Sequence, residues 1–411
     1  MIVSRVERCI IKKSDSHYSM LDGFCFNAKN LYNHANFIIR NNFCNNGIWT
    51  RYNDLDKLLK SDIEFPDYRN MPTAQSAQQT LRMLDKNWKS FFRSIKDWSN
   101  HKDKYLGRPK LPKYKKKDGR NVLILTNQNV RVRDGVLLFP KSFNKFSRNI
   151  VCIRKENFIS IQQVRFLPKQ NHIIMEVIYD VEIQNTKMPD NGRYLSIDIG
   201  IDNLATVTNN FGVTPFIVNG KGLKSINKFY NKQISHYSKI AKRMNNRDRT
   251  HKMDQITTNR NRRIDDYLHK ASRYIIDFAN TNNVSSIVIG NNSGWKQNSN
   301  LGKSVNQTFT QMPFSRLIQM IEYKAEDIGI NVIVTEESYT SGTSFLDDEL
   351  PIKDHYNKRR RIYRGLFKSN SNILINADVN GSLQILKKVF PTAYANGISG
   401  VALHPIVVNL I

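Results

Sequence analysis

The stretch YLSIDIGIDNLATVTN, residues 194–209, constrains the fold of this chain more than any other. It sets Asp198 inside an apolar run, two residues before Gly200 and ahead of a second β-rich run. A carboxylate in such a strand must be paired, neutralised or holding a cation, because burying a lone charge is expensive. Asp202 reads instead as part of the turn. FGVTPFIVNG makes a third strand, and two long basic helices follow over about 224–246 and 254–282. Then come an apolar strand (VSSIVIG), an amphipathic helix (FSRLIQMIEYKAEDIG), a strand (INVIVTE) and a last helix entered through ILINADVNGSLQILKKVF. Three hairpin strands followed by alternating helices and strands predict an RNase H-like α/β layout.

The first half has a different pattern. Residues 2–12 alternate as a strand, and helical spacing covers 18–41 and 52–59. After Pro72 a long helix begins, with Thr73 as its cap and Ala77, Leu81, Leu84, Trp88, Phe91, Phe92 and Ile95 on its apolar face. The segments NVLILT, GVLLFP, IVCIR, FISIQQVRFLP and HIIMEVIYDVEI predict antiparallel strands of a small barrel. The polar segment NTKMPDNGR, residues 185–193, marks a boundary. The predicted fold class is therefore α/β and α+β multidomain. A small β-barrel spans 1–15 and 106–190, a helical domain is inserted over 16–105, and an RNase H-like domain spans 191–411.

Charge narrows the partners. Lys and Arg number 63 against 35 Asp and Glu, a formal net charge of +28. Such a surplus, spread along the chain, suits nucleic acid, since neutralised phosphates release counterions. No apolar run is long enough for a spanning helix and the N-terminus is not a signal peptide, so no membrane partner is expected. The four cysteines, Cys9, Cys25, Cys44 and Cys152, form no CxxC pair. The expected location is reducing and cytoplasmic, at the nucleoid.

Phosphodiester cleavage with two metal ions needs carboxylates held by rigid elements. Asp198 is the first candidate. Asp378, in INADVNGSLQIL, is the second, although aspartate at a helix start is equally an ordinary cap. Gln75, Gln78 and Gln79 open the long helix, and glutamine pairs bidentately with adenine. Lys113, Lys115, Lys116 and Lys117 crowd a proline-stiffened basic segment that predicts a nucleic-acid contact.

Taken in order, YLSIDIGIDNLATV, SSIVIGNNSGWKQ with the following helix and VIVTEESYTS, and RGLFKSNSNILINADVNGSLQILKK resemble the RuvC nuclease domain of TnpB proteins. These are transposon-encoded RNA-guided DNA endonucleases related to Fanzor proteins and type V CRISPR effectors. LYNHANFIIR, PTAQSAQQTLRMLDKNWKSFF and GRPKLPKYKKK extend the resemblance more loosely into the first half. The resemblance implies that the barrel is wedge-like and the helical domain a recognition domain.

The resemblance implies that Asp198 and Asp378 are the first and last catalytic aspartates. Gly290 stands where the family carries its glutamate, and Glu336 and Glu337 end the neighbouring strand. Glu337 is the expected replacement, as in family members with a relocated glutamate. Mg²⁺ is the implied cofactor, with Mn²⁺ able to substitute. A guide RNA and target DNA are the implied partners, held as a heteroduplex by one protein copy per RNA. The family's zinc ribbon is not expected. Residues 342–372 contain no cysteine and one histidine, His355, which predicts a zinc-free target-nucleic-acid-binding insert. Its cations Lys358, Arg359, Arg360, Arg361 and Arg364 are expected on nucleic acid. Arg260, Arg262, Arg263, His269 and Lys270 match the family's basic helix and are expected along phosphates. Gln75, Gln78 and Gln79 fall on the helix expected to read the flanking DNA motif. The rival expectations are a nuclease-dead guided repressor, for which Gly290 is the evidence, a DNA-joining transposase, and a type V CRISPR effector.

Overall fold

The computed structural model describes residues 1–154, 156–183, 187–246, 248–292, 302–394 and 403–410. The chain divides into two units, Met1–Ile183 and Gln184–Ile411. That division falls just before the polar segment read as a boundary, of which 185 and 186 lie outside the described residues.

The first unit opens with strand β1 (Ile2–Lys12) and helices α1 (Tyr18–Asn46), α2 (Tyr52–Ser61) and α3 (Ala74–Asn100). Strands β2 (Leu123–Thr126), β3 (Arg131–Arg133), β4 (Val136–Leu138), β5 (Ser147–Asn149), β6 (Phe158–Pro168) and β7 (His172–Glu182) follow. Thr73 caps α3 with a reciprocal capping box: its hydroxyl accepts from the Ser76 N–H, and the Ser76 hydroxyl accepts from the Thr73 N–H. Gly47 ends α1 at a φ of 68°, a left-handed position that glycine adopts without strain. Trp88 is fully buried, and its Nε1–H donates to Asn36 Oδ1 at 3.0 Å, so the largest core side chain keeps its polar atom satisfied.

Two expectations fail here. The strands form a four-stranded antiparallel sheet, β1-β7-β6-β2, and a separate three-stranded sheet, β3-β4-β5, rather than one closed barrel among the described residues. Tight 3₁₀ turns at Asn127–Asn129 and Val151–Arg154 lie on the two connections between these sheets, and a third at Lys141–Phe143 joins β4 to β5. IVCIR is one of those turns and not a strand. The Glu7 carboxylate accepts the N–H groups of Val151 (3.0 Å) and Cys152 (2.7 Å), which removes them from strand pairing.

The second unit carries β8 (Tyr194–Asp198), β9 (Asn203–Asn209), β10 (Phe216–Asn219), α4 (Lys221–Asn245), α5 (His251–Thr281), β11 (Ser286–Gly290), α6 (Lys303–Gln311), α7 (Phe314–Glu326) and β12 (Asn331–Thr335). It ends with β13 (Arg361–Tyr363), β14 (Leu366–Lys368), β15 (Leu374–Asn376), α8 (Ala377–Val389) and β16 (Ile406–Val408). Six strands make one sheet in the order β12-β11-β8-β9-β10-β16. β12, β11 and β8 run parallel, β9 is antiparallel to both its neighbours, and β16 is parallel to β10. β8 and β11 are buried along nearly their whole length because both faces are covered, with Ser196 the polar residue at the centre of β8.

Helix α8 is buried along most of its length against that sheet. A trio of buried hydroxyls fixes its position: Ser196 Oγ donates to the Ser382 carbonyl at 2.7 Å and lies 2.7 Å from Thr208 Oγ1, itself 3.0 Å from Ser382 Oγ. Buried polar groups cost stability unless paired, so this cluster admits one register of the helix on the sheet. Residues 342–376 fold beside α8 around Phe345, Phe367 and Ile375, with β13, β14 and β15 as a small sheet of their own. Among the described residues no helix is long and apolar enough to cross a membrane.

Candidate carboxylate site

The sheet topology brings three acids to one end of the second unit. Asp198 is the last residue of β8, and Asp378 lies in the first turn of α8. Glu337 follows the end of β12 by two residues. Asn376 caps α8 by accepting from the N–H groups of Asp378 (3.0 Å) and Val379 (3.1 Å). The cap is therefore Asn376, and the Asp378 carboxylate is not used for it. Asn203 Nδ2 donates to Asp378 Oδ2 at 2.6 Å, and Arg361 Nη2 donates to Asp378 Oδ1 at 2.9 Å. Gly381 lets α8 approach the strand: a Cβ there would lie 3.1 Å from Asp198 Oδ2.

Burial, and then the charges of Glu337 and Asp378, push the Asp198 carboxyl well above the usual carboxylate range, with Arg361 offsetting part of that. Glu337 is pushed up to about 7, first by burial and then by Glu336, while Lys388 acts in the opposite sense. Mutually repelling, desolvated carboxylates are what a cation would relieve.

Glu336 and Glu337 differ sharply. Glu336 turns outward, where Lys388 Nζ donates to its Oε2 at 2.8 Å. Glu337 turns inward, and its Oε2 is buried with no hydrogen-bond partner. A Cβ built on Gly290 would lie 3.0 Å from that Oε2 and 2.5 Å from Ile385 Cδ1. The Glu337 carboxylate thus lies against Gly290, the position at which the resemblance implies a glutamate.

An open cleft of about 470 Å³ is lined by Asp198, Gly200, Asn203, Phe314, Arg361 and Asp378 among others, and Glu337 is not in its lining. Three hard oxygen donors of this kind suit Mg²⁺ or Mn²⁺. The orphaned, buried Oε2 of Glu337 and the buried, charge-crowded Asp198 fit such an ion. Among the described residues, however, no three His, Cys, Asp or Glu side chains are grouped tightly enough to hold an ion as they stand.

The structure separates the cations named from the sequence. Arg361 is on Asp378, and Arg364 pairs with Asp202 at 2.5 Å, so both face carboxylates. Arg360 is turned inward, with both Glu349 oxygens within 2.7 Å of its Nη1. Lys358 and Arg359 are exposed. Arg260 is half-buried and braces α5 against its neighbours, donating to Asn227 Oδ1 and the Gln311 carbonyl, so it is not presented to a phosphate. Arg262, Arg263, His269 and Lys270 are exposed, with Lys270 paired to Asp266.

In the first unit Gln75 donates to Gln128 Oε1 and accepts from Asn129, so its amide is occupied within the unit. Gln78 hydrogen-bonds Tyr68, and Gln79 is half-buried. Lys113, Lys115, Lys116 and Lys117 are exposed. Their backbone is pinned along α1 by Lys29 on the Lys117 carbonyl, Asn33 on Lys115 and Asn36 on the Pro112 carbonyl.

Sequence reasoning missed Asn203 and Asn292, and it gave Arg361 a different partner. Asn203 lies five residues after Asp198, at the start of the return strand, and that hairpin spacing was the available signal. Arg361 carried no signal, since nothing local ties it to Asp378.

The family model OrfB_IS605, probable transposase, matches residues 176–296, and the model Cas12f1-like, TNB domain, matches residues 314–385. The CRISPR-associated endodeoxyribonuclease Cas12f2 of Micrarchaeota archaeon (strain CG1_02_47_40) is 24% identical over 277 residues, covering 63% of this chain. This chain spans about half of that relative, 47% of its length. Among solved structures, a Cas12f1–sgRNA–target DNA complex matches at 13% identity and a TM-score of 0.37, covering 93% of this chain and 98% of that one. A CRISPR–Cas12f ternary complex matches at 14% identity and a TM-score of 0.37, covering 89% and 81%.

Proposed function

The chain is a TnpB/Cas12f-like protein, and on that premise we propose that it is an RNA-guided DNA endonuclease whose second unit is an RNase H-like RuvC domain. In this reading Asp198, Glu337 and Asp378 are the catalytic acids. The observation that carries it is the inward Glu337, whose unpartnered Oε2 lies against Gly290. Gly290 then signifies a moved carboxylate and not a lost one.

Bound Mg²⁺, or Mn²⁺ in its place, would polarise the scissile phosphate and lower the pKa of the attacking water. Asp198 and Asp378 present oxygens to the cleft from a strand end and a helix start, which keeps them rigid. Asn203 holds one oxygen of Asp378 and Arg361 the other, which fixes the orientation of the carboxylate. Arg361 is also placed to meet a phosphate entering the cleft, the anion guanidinium binds best. Exposed Lys113, Lys115, Lys116, Lys117, Arg262, Arg263 and Arg359 would track the backbone of a guide RNA–target DNA duplex, by charge and shape. Base pairing would supply the sequence reading, and the protein would read a short flanking motif. No zinc enters this reading, because residues 342–372 offer one histidine and no cysteine.

The runner-up is a guided DNA-binding repressor without cleavage. It is favoured by Glu337 standing outside the cleft lining and by the absence, among the described residues, of a ready three-ligand group.

The test of function is co-expression of the chain with its native flanking DNA, sequencing of the RNA that copurifies, and challenge of plasmids matching that RNA. A defined RNA and metal-dependent cutting of matched plasmids are expected. A protein that retains no RNA and cuts nothing would overturn the proposal.

A further inference from the structure

The geometry points to Asn292 as the residue that positions Glu337, an inference that rests on the metal-site reading above. Strands β11 and β12 are parallel, with Gly290 opposite Thr335. The Asn291 N–H donates to the Thr335 carbonyl at 2.8 Å, which carries the pairing one step beyond the strands. Two residues further along each chain, Asn292 and Glu337 arrive side by side.

One amide then makes both contacts. Asn292 Nδ2 donates to Glu337 Oε1 at 3.1 Å, and Asn292 Oδ1 accepts from the Glu337 N–H at 3.2 Å. The side chain and the backbone of Glu337 are clamped by the same group. Gly290 leaves room for Oε2, which would lie 3.0 Å from a Cβ built there. A glutamate has three rotatable side-chain bonds, and an unclamped one would spread over many rotamers. The clamp satisfies Oε1 and leaves Oε2 as the orphaned oxygen. Aspartate at 292 would set a like charge against Glu337, and alanine would free both contacts.

Partners in this position typically change metal affinity roughly 10-fold to 100-fold when removed. The experiment is an electron paramagnetic resonance titration of Mn²⁺ into purified protein, comparing wild type, Asn292→Ala, Glu337→Gln and the double variant. Thermal melts check that each is folded. Asn292→Ala is expected to weaken Mn²⁺ binding by roughly 10-fold or more. In the Glu337→Gln background the same change should add nothing, because Asn292 acts through Glu337. A merely structural role would weaken both backgrounds alike, and that result overturns the inference. Wild-type affinity in Asn292→Ala overturns it too, while leaving the metal reading intact. No Mn²⁺ binding by wild type overturns the metal reading itself, and the positioning role with it.

Discussion

At the scale of single residues, Gly290 and Glu337 lie against each other, and the proposed site depends on both. Gly290→Ala should destabilise the second unit by about 1–3 kcal/mol, because the new Cβ has no room beside Ile385. Gly290→Glu should fail to restore a conventional site and should displace Glu337, a loss read as reduced Mn²⁺ affinity. The raised pKa of Glu337, about 7 against an ordinary 4.5, also sets a pH dependence. Between those values the folded state holds a proton that the unfolded state has released. Stability without divalent metal should therefore fall as pH rises through that window, by at most about 1.4 kcal/mol per unit. Glu337→Gln should flatten the slope, and Mg²⁺ should offset it in wild type, both measured by denaturant melts. The place of Asp198 in a buried strand was legible in the sequence because the apolar run around it is unbroken but for one serine. The cradle around Glu337 was not, because it depends on the register of two strands more than 40 residues apart in sequence.

At the scale of elements, the long amphipathic helices and apolar strands were readable because periodicity repeats over many residues. Thr73 was read as the cap of α3, and the structure places it there with a full capping box. Thr73→Ala should cost about 1 kcal/mol in the first unit. Strands β13, β14 and β15 were missed because each has three residues, too few for a pattern to establish itself. IVCIR alternates like a strand, yet the distant Glu7 carboxylate takes its N–H groups. Buried Lys324 on α7 was also unreadable. Its Nζ donates to Ser272 Oγ at 2.6 Å and to the His269 carbonyl at 2.9 Å, tying α7 to α5. Burial lowers its pKa to about 8 from 10.5. Between those values the unfolded chain binds the extra proton, so this lysine makes stability rise with pH across that window. Lys324→Met should lose that rise, measured as the difference between variant and wild-type melts at pH 8 and pH 10.

At the scale of the whole molecule, a formal charge of +28 governs association. Binding to guide and target should weaken steeply with salt, and reversing exposed Lys115, Lys116 and Lys117 to glutamate should reduce the salt slope more than the specificity. Arg260→Gln should behave differently, lowering stability through its lost contacts to Asn227 and Gln311 with little effect on that slope. The central claim is that this chain cuts DNA with a glutamate delivered from a neighbouring strand. Plasmid cleavage in Mg²⁺ by protein purified with its co-expressed RNA tests it most directly, comparing wild type with Glu337→Gln and following target binding in parallel. The account predicts that wild type cuts, and that the variant binds the target as tightly but leaves it intact. Equal cutting by the variant, or tight guided binding by wild type without any break, would contradict it.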